Sequence, residues 1–149
     1  TVYDLSEQLR ECLLQFEDAW ERKQLVIDAD LEEVLIRADG ELLTLVWNNL
    51  FSNAVKFSPR GGRINLTLRQ EGGYAVVKVA DNGAGMTPEV GRHIFERFYQ
   101  GDASHATQGN GLGLALVKRV IDIIDGEISV ASTLGQGTTF TVKLKIDGP

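Results

Sequence analysis

Leu5, Leu9, Cys12, Leu13, Phe16 and Trp20 recur at steps of three and four, the spacing of one helical face. Asp4 followed by Glu7 gives a capping-box-like start. The pattern predicts one amphipathic helix over 4–23. Segments 24–28 and 33–38 read as short strands. Asp39 then caps a second helix reaching about Phe57, with a core stripe of Leu43, Val46, Trp47, Leu50, Ala54 and Phe57. Pro59 and Gly61-Gly62 stop it. Residues 63–70 alternate, with Ile64, Leu66 and Leu68 on one face. A second strand over 74–80 follows Gly72-Gly73, which reads as a hairpin turn. Residues 81–111 are rich in turn residues, with a short helical piece near 88–98. A third helix is predicted over 112–125, then strands over 127–132 and 138–146.

Alternating strands have one dry face, and three amphipathic helices need somewhere to bury their stripes. The fold class this predicts is a two-layer α/β (α+β) sandwich. Three main helices cover one face of a mixed, largely antiparallel sheet. The 149 residues give one domain without repeats or linkers, spanning 1–149. Hydrophobic residues at 43% and charged residues at 24% fit a folded globular chain. A net charge of −6 disfavours a nucleic-acid partner. The lone Cys12 cannot form an internal disulfide, and with two histidines it cannot complete a Cys/His zinc site; it reads as a buried helix thiol. No apolar run of membrane-spanning length and no signal-peptide pattern occurs, so no direct membrane contact is expected.

Several nucleotide and nucleophile motifs are absent. There is no Gly-Lys dipeptide for a phosphate loop, and no G-x-G-x-x-G. H-R-D, D-F-G and G-x-S-x-G are also missing.

Four constellations remain. Asn49, Asn53 and Lys56 share a face of the second helix, about a quarter-turn from its core stripe. Amide oxygens and an ammonium there suit hydrated Mg²⁺ and phosphates, or simply form a solvated face. Asp81-Asn82-Gly83-Ala84-Gly85-Met86 ends a strand. Its carboxylate could accept from an exocyclic amine, or the run could be plain turn chemistry. Ile94-Phe95-Glu96-Arg97-Phe98-Tyr99 reads as an anchor, with Phe95 and Phe98 packing rather than reacting. Gly109-Asn110-Gly111-Leu112-Gly113-Leu114 leads into the third helix, where unobstructed amides can meet an anion.

Taken in order, these runs resemble the N, G1, F and G2 boxes of the catalytic and ATP-binding domain of sensor histidine kinases, in the GHKL ATPase superfamily. The run Gly135-Gln136-Gly137-Thr138-Thr139-Phe140 resembles that family's closing G-x-G-T-x-F turn. The likeness covers nearly the whole chain. It implies a histidine kinase ATPase fold, with ATP and Mg²⁺ as cofactors. It makes Asn53 a Mg²⁺ ligand with Asn49 beside it, and Lys56 a phosphate contact. Asp81 would bond the adenine amine, Gly85 would line the base and Thr138 would support it, through water, with Phe57, Gly83 and Met86 also among the nucleotide-binding residues. Gly109, Gly111 and Gly113 would wrap the phosphates, as part of an ATP lid over about 99–111, with Asn110, Leu112 and Leu114 also among the nucleotide-binding residues.

Two departures from the family matter. Gln100 stands where the family often has Arg, which leaves Arg97 as the candidate catalytic cation near the γ-phosphate or at a partner interface. Neither His93 nor His105 sits in the family's phosphoacceptor context. The chain therefore reads as an excised catalytic domain, monomeric alone. Its partners would be a separate dimerisation domain of the same kinase, carrying the acceptor histidine, and a downstream response regulator. A cytoplasmic domain of a parent kinase, membrane-bound or not, is the implied setting. The reaction implied is γ-phosphate transfer to that histidine. Asn49 stands where hydrolytic relatives carry Glu, so water attack should be slow. A GHKL anti-sigma-type serine kinase and a non-catalytic nucleotide-binding module are the alternative readings.

Overall fold

The computed structural model describes residues 1–96 and 110–149, with residues 110–113 described as backbone only. In chain order the elements are β1 (Val2–Asp4), α1 (Leu5–Leu14), α2 (Glu17–Arg22), β2 (Val26–Leu31) and β3 (Leu35–Arg37). Then come α3 (Gly40–Phe57), β4 (Arg63–Glu71), β5 (Tyr74–Asp81) and α4 (Pro88–His93). The last are α5 (Asn110–Ile123), β6 (Glu127–Thr133) and β7 (Gly137–Lys145). The main sheet has the order β2-β4-β5-β7-β6, with β2 parallel to β4 and the other pairs antiparallel. β1 and β3 form a separate two-stranded ribbon. The expected mixed, largely antiparallel sheet under a helical layer is therefore present.

Period-two patterning makes the two faces of the sheet different. Ile64, Leu66, Leu68, Val77, Val79, Val142 and Leu144 are buried, while Arg63, Asn65 and Lys78 are exposed. The dry face meets Leu5, Leu9 and Leu13 of α1, Trp47 and Leu50 of α3, and Val117 and Ile121 of α5 in one core. Cys12 belongs to this core.

The helix expected over 4–23 is two helices and part of a strand. Asp4 ends β1 and caps α1, accepting from the backbone of Ser6 and Glu7. The break falls at Gln15 and Phe16, because Phe16 turns to set its ring edge-on to Phe51 of α3, with centroids 6.5 Å apart. A single tight turn barely disturbs the phase of the apolar pattern, so the periodicity runs on through it. The strand expected from 24 starts at Val26, since Gln24 has a positive φ of 57° and terminates α2. The helical piece expected over 88–98 is helical only over Pro88–His93 among the described residues.

α3 matters most for the site. Asp39 caps its start, accepting from the Leu42 amide at 3.2 Å. At its end the Lys23 ammonium donates to the carbonyls of Val55, Lys56 and Ser58 at 2.8, 2.9 and 2.7 Å. A cation on the last carbonyls of a helix complements its dipole. In mid-helix, Gln8 of α1 uses its whole amide. Oε1 accepts from Tyr3 Oη and Trp47 Nε1 at 2.8 and 2.9 Å. Nε2 donates to Gly40 O and Thr44 Oγ1 at 2.8 and 3.0 Å. Trp47 is fully buried, so Gln8→Leu strands its indole N–H. The expected cost is about 2–3 kcal/mol, read as a lower urea midpoint at unchanged slope. A loss below about 1 kcal/mol would contradict the assignment of Gln8 as the tie between α1 and α3.

Candidate nucleotide site

The inner face of the main sheet changes chemistry along its length. Two rows of paired residues are apolar: Leu68, Val77, Val142, Ile128, then Leu66, Val79, Phe140, Val130. The next row is Ile64, Asp81, Thr138, Ser132. Directly paired residues on antiparallel strands project to the same face. Three polar side chains thus stand side by side where the core ends.

Asp81 closes β5. Its Oδ1 accepts from the Gly83 amide at 2.9 Å. The Gly83 amide and the backbone of Thr138, its partner on β7, favour the ionised form, but burial outweighs them and pushes the Asp81 carboxyl above its ordinary range. Thr138 is 9% exposed. The turn after Asp81 is held from both sides. Asn82 Oδ1 accepts from the Arg63 amide at 2.8 Å. On the other side Ser132 Oγ accepts from the Met86 amide at 2.8 Å, and Ala84 O accepts from the Gly135 amide at 2.6 Å. Gly83 packs on the last turn of α3, where a side chain would collide with the Phe57 carbonyl oxygen. Gly85 has φ +73° and runs against the Thr133 carbonyl, so both its backbone angle and its clearance require glycine.

On α3 the polar trio grades from inside to outside. Asn53 is 7% exposed, and its amide makes no hydrogen bond with another described residue. Asn49 is half-buried, and its Nδ2 donates to Leu45 O at 2.7 Å, which turns Oδ1 away from the helix backbone. Lys56 is exposed in the last turn. Phe57, expected in the core stripe, is 39% exposed and stands at the edge of the turn instead. Phe51 and Val55 fill the core beside it.

The structure therefore brings Asp81, Gly83, Gly85, Met86, Phe57 and Thr138 together, with Asn53 one helical turn before Phe57. Leu114 is placed elsewhere, 3% exposed in the hydrophobic core. α5 begins at Asn110, two residues before the expected start, so Asn110, Gly111, Leu112 and Gly113 form its first turn. Arg97, Phe98, Gln100, His105, Gly109 and most of the expected lid fall outside the described residues. Phe95 anchors as expected, its ring edge-on to Phe140 with centroids 6.1 Å apart. His93 pairs with Glu96 at 2.7 Å on the surface.

Two contributors escape the sequence reading. Lys23 caps α3 from 32 residues away, and nothing local marks it. Ser132 was findable, because pairing the last two strands about the 133–137 turn sets it opposite Thr138.

Among the described residues no cluster of His, Cys, Asp or Glu is placed to hold a metal ion. The available oxygen donors beside the pocket are the amides of Asn49 and Asn53. Such neutral oxygens fit Mg²⁺, which keeps several waters and takes the rest of its shell from substrate phosphates. Among the described residues no helix is long and apolar enough to cross a membrane.

Comparison with known proteins agrees with this geometry. Residues 38–148 match the family described as histidine kinase-, DNA gyrase B- and HSP90-like ATPase. The chain is 38% identical to the sensor histidine kinase TmoS of Ectopseudomonas mendocina, over 98% of this chain and 15% of TmoS. It is 37% identical to the sensor-like histidine kinase SenX3 of Mycobacterium tuberculosis, over 97% of this chain and 36% of SenX3. It thus spans well under half the length of these relatives. Among solved structures, the mycobacterial sensor histidine kinase MprB superposes with a TM-score of 0.86 at 27% identity, covering both chains completely. Histidine kinase ThkA in complex with response regulator protein TrrA gives 0.82 at 22% identity, covering 98% of this chain and 41% of that one. The chain belongs to the histidine kinase-, DNA gyrase B- and HSP90-like ATPase family, and within it is an ATP-binding catalytic domain of the sensor histidine kinase type.

Proposed function

We propose that this domain binds Mg·ATP at the Asp81–Thr138 row and presents the γ-phosphate to a histidine on a separate dimerisation domain. The phosphoryl group would then pass to an aspartate of a response regulator, the kind of partner seen with ThkA. The observation that carries this reading is a half-buried carboxylate in a glycine-walled turn, packed against a helix end that carries a buried Asn53 whose amide makes no hydrogen bond with another described residue.

The division of labour follows from the chemistry of each group. The Asp81 carboxylate accepts a hydrogen bond from the adenine amine, with Thr138 beside it. Gly83, Gly85, Met86 and Phe57 give the base a close-fitting wall. Asn53 Oδ1 and Asn49 Oδ1 hold the metal, and Lys56 offsets phosphate charge. The helix start at Asn110, Gly111, Leu112 and Gly113 offers backbone amides to the phosphates, and Gly109 is assigned to the same phosphate contact. Arg97 is the candidate for the γ-phosphate or the partner interface. Mg²⁺, when bound, neutralises the phosphates and orients them. Phosphoryl transfer needs positioning and charge neutralisation more than covalent help from the donor domain. A neutral imidazole is already nucleophilic near neutral pH. The Asn49 amide cannot usefully take a proton from water, which favours transfer over hydrolysis. An ATP-using domain of this kind would work on the cytoplasmic side of a parent kinase, membrane-bound or not, and would be monomeric in isolation.

The test is a calorimetric titration of ATP with and without Mg²⁺, in wild type and Asn53→Ala. Mg²⁺ is expected to tighten wild-type binding by about tenfold, or ~1.4 kcal/mol. Asn53→Ala loses that tightening and keeps its Mg²⁺-free affinity. Equal wild-type affinity with and without Mg²⁺ defeats the metal assignment. Mixed with a dimerisation domain, the chain should yield acid-labile phosphohistidine. Acid-stable phosphoserine on a partner would instead establish the serine-kinase alternative.

A further inference from the structure

We propose that Ser132 is a positioning residue that fixes the hydrogen-bond polarity of the base pocket, making its Asp81–Thr138 edge accept protons only. The inference rests on the nucleotide reading above and assigns that same pocket its discrimination between a 6-amino and a 6-oxo purine.

The argument is a count of protons and lone pairs. Ser132 Oγ has three neighbours: Met86 N at 2.8 Å, Gly137 O at 3.0 Å and Thr138 Oγ1 at 2.8 Å. The Met86 amide can only donate, so it takes one lone pair of Ser132. The Gly137 carbonyl can only accept, so it takes the single Ser132 proton. The remaining Ser132 lone pair then accepts from the Thr138 hydroxyl. This arrangement satisfies all three contacts, whereas turning the Ser132 proton toward Thr138 abandons one of them. Thr138 therefore spends its proton on Ser132 and keeps only lone pairs for other neighbours.

Asp81, Thr138 and Ser132 share one row on one face of the sheet, so the relay ends beside the carboxylate. An acceptor-only edge suits an exocyclic amine, directly or through one water. It meets a 6-carbonyl with acceptor against acceptor. A site that leaves polar groups unpaired against the wrong ligand rejects it far more strongly than shape alone does. The same hydroxyl clips the 81–86 turn to the β6–β7 hairpin. One small side chain thereby sets both the wall of the pocket and its polarity.

The experiment compares dissociation constants of ATP and inosine triphosphate for wild type, Ser132→Ala, Ser132→Thr, Thr138→Val and Asp81→Asn. Ser132→Cys, nearly isosteric but a weak hydrogen-bonding partner, stands in if the alanine variant fails to fold. The wild type is expected to favour ATP by about 100-fold or more. Ser132→Ala should lower that ratio about tenfold, Ser132→Thr should restore it, and Thr138→Val should lower it similarly. The double variant Ser132→Ala with Thr138→Val should lose no more than either single change. An unchanged ratio in Ser132→Ala, with the ratio collapsing in Asp81→Asn, overturns the role of Ser132 and leaves the pocket standing. Additive losses, or an equal loss in Ser132→Thr, reduce Ser132 to a structural residue and also overturn it. A wild type without preference for ATP, unaltered by Asp81→Asn, overturns the pocket and this assignment together.

Discussion

Asp81→Asn should weaken ATP binding by roughly 100-fold, about 3 kcal/mol, without unfolding the domain. The carboxylate can only accept, and its proposed partner, the adenine amine, can only donate. Asparagine is nearly the same shape but brings an NH₂. It can keep Oδ1 on the Gly83 amide, the 2.9 Å bond that shapes the turn, and then faces the base with a donor. Two donors in a desolvated site repel each other and leave both unsatisfied. Loss of preference for ATP over inosine triphosphate should accompany the loss of affinity. Unchanged preference in the mutant would remove Asp81 from the base pocket.

The same substitution separates binding from stability through pH. Burial raises the Asp81 carboxyl above its ordinary value, so the folded state holds this proton more tightly than the unfolded chain does. The sign follows. Its contribution to stability is present below the unfolded pKa and is lost as pH rises through the higher folded value. At neutral pH the ionised group is a cost that the pocket carries for function. Asp81→Asn removes that cost, which offsets the favourable interaction with the Thr138 backbone that it gives up. The apo protein should therefore melt close to wild type at neutral pH and lose ground to wild type on acidification. ATP affinity runs the other way. In wild type it should fall on acidification at a pH above the ordinary carboxylate range, and in Asp81→Asn it should stay flat there.

How much of this was legible in the sequence depends on how local each cause is. The second helix was legible because its cap, its stripe and its stop are all within the run from Asp39 to Pro59. The turn after Asp81 was legible because glycines at Gly83 and Gly85 answer local backbone and clearance demands. The break at Phe16 was not, since its cause is a ring on α3, 35 positions along the chain. The parallel register of β2 with β4 was equally hidden, because strand pairing is decided by the whole sheet. Lys23 shows the same limit. As a lone lysine after a helix it carries no signal, and only tertiary contact reveals that it closes the end of α3. Asn53 and Asp81 could be singled out as chemistry from sequence, and Thr138 through the family resemblance. What holds Asp81 and Thr138 in place, the row ending at Ser132, needed strand register.

Gly137→Ala should be among the most damaging single-methyl changes in the domain, and the damage should reach the nucleotide. Gly137 opens β7 with φ +125°, a conformation that L-residues rarely adopt, and a Cβ there would collide with the Asp81 carbonyl oxygen. The obstacle is backbone on the neighbouring strand, so no rotamer change relieves it. The clash can be relieved only by opening the ladder at its last pair, Asp81 with Thr138. Backbone strain of about 1–3 kcal/mol adds to the lost pairing, giving an expected total near 3–4 kcal/mol. For a domain of this size that is a fall in Tm of roughly 10 °C. Gly135→Ala is the matched control. Gly135 also has a positive φ, +82°, but open space where its Cβ would stand. It should cost only the left-handed penalty of about 1–2 kcal/mol and leave ATP affinity unchanged. If both glycines contribute through backbone freedom alone, the two variants will melt together and bind ATP equally. If the β6–β7 hairpin braces Asp81, only Gly137→Ala will lose the nucleotide, and its loss will exceed what its lower Tm accounts for at a temperature where both variants are folded.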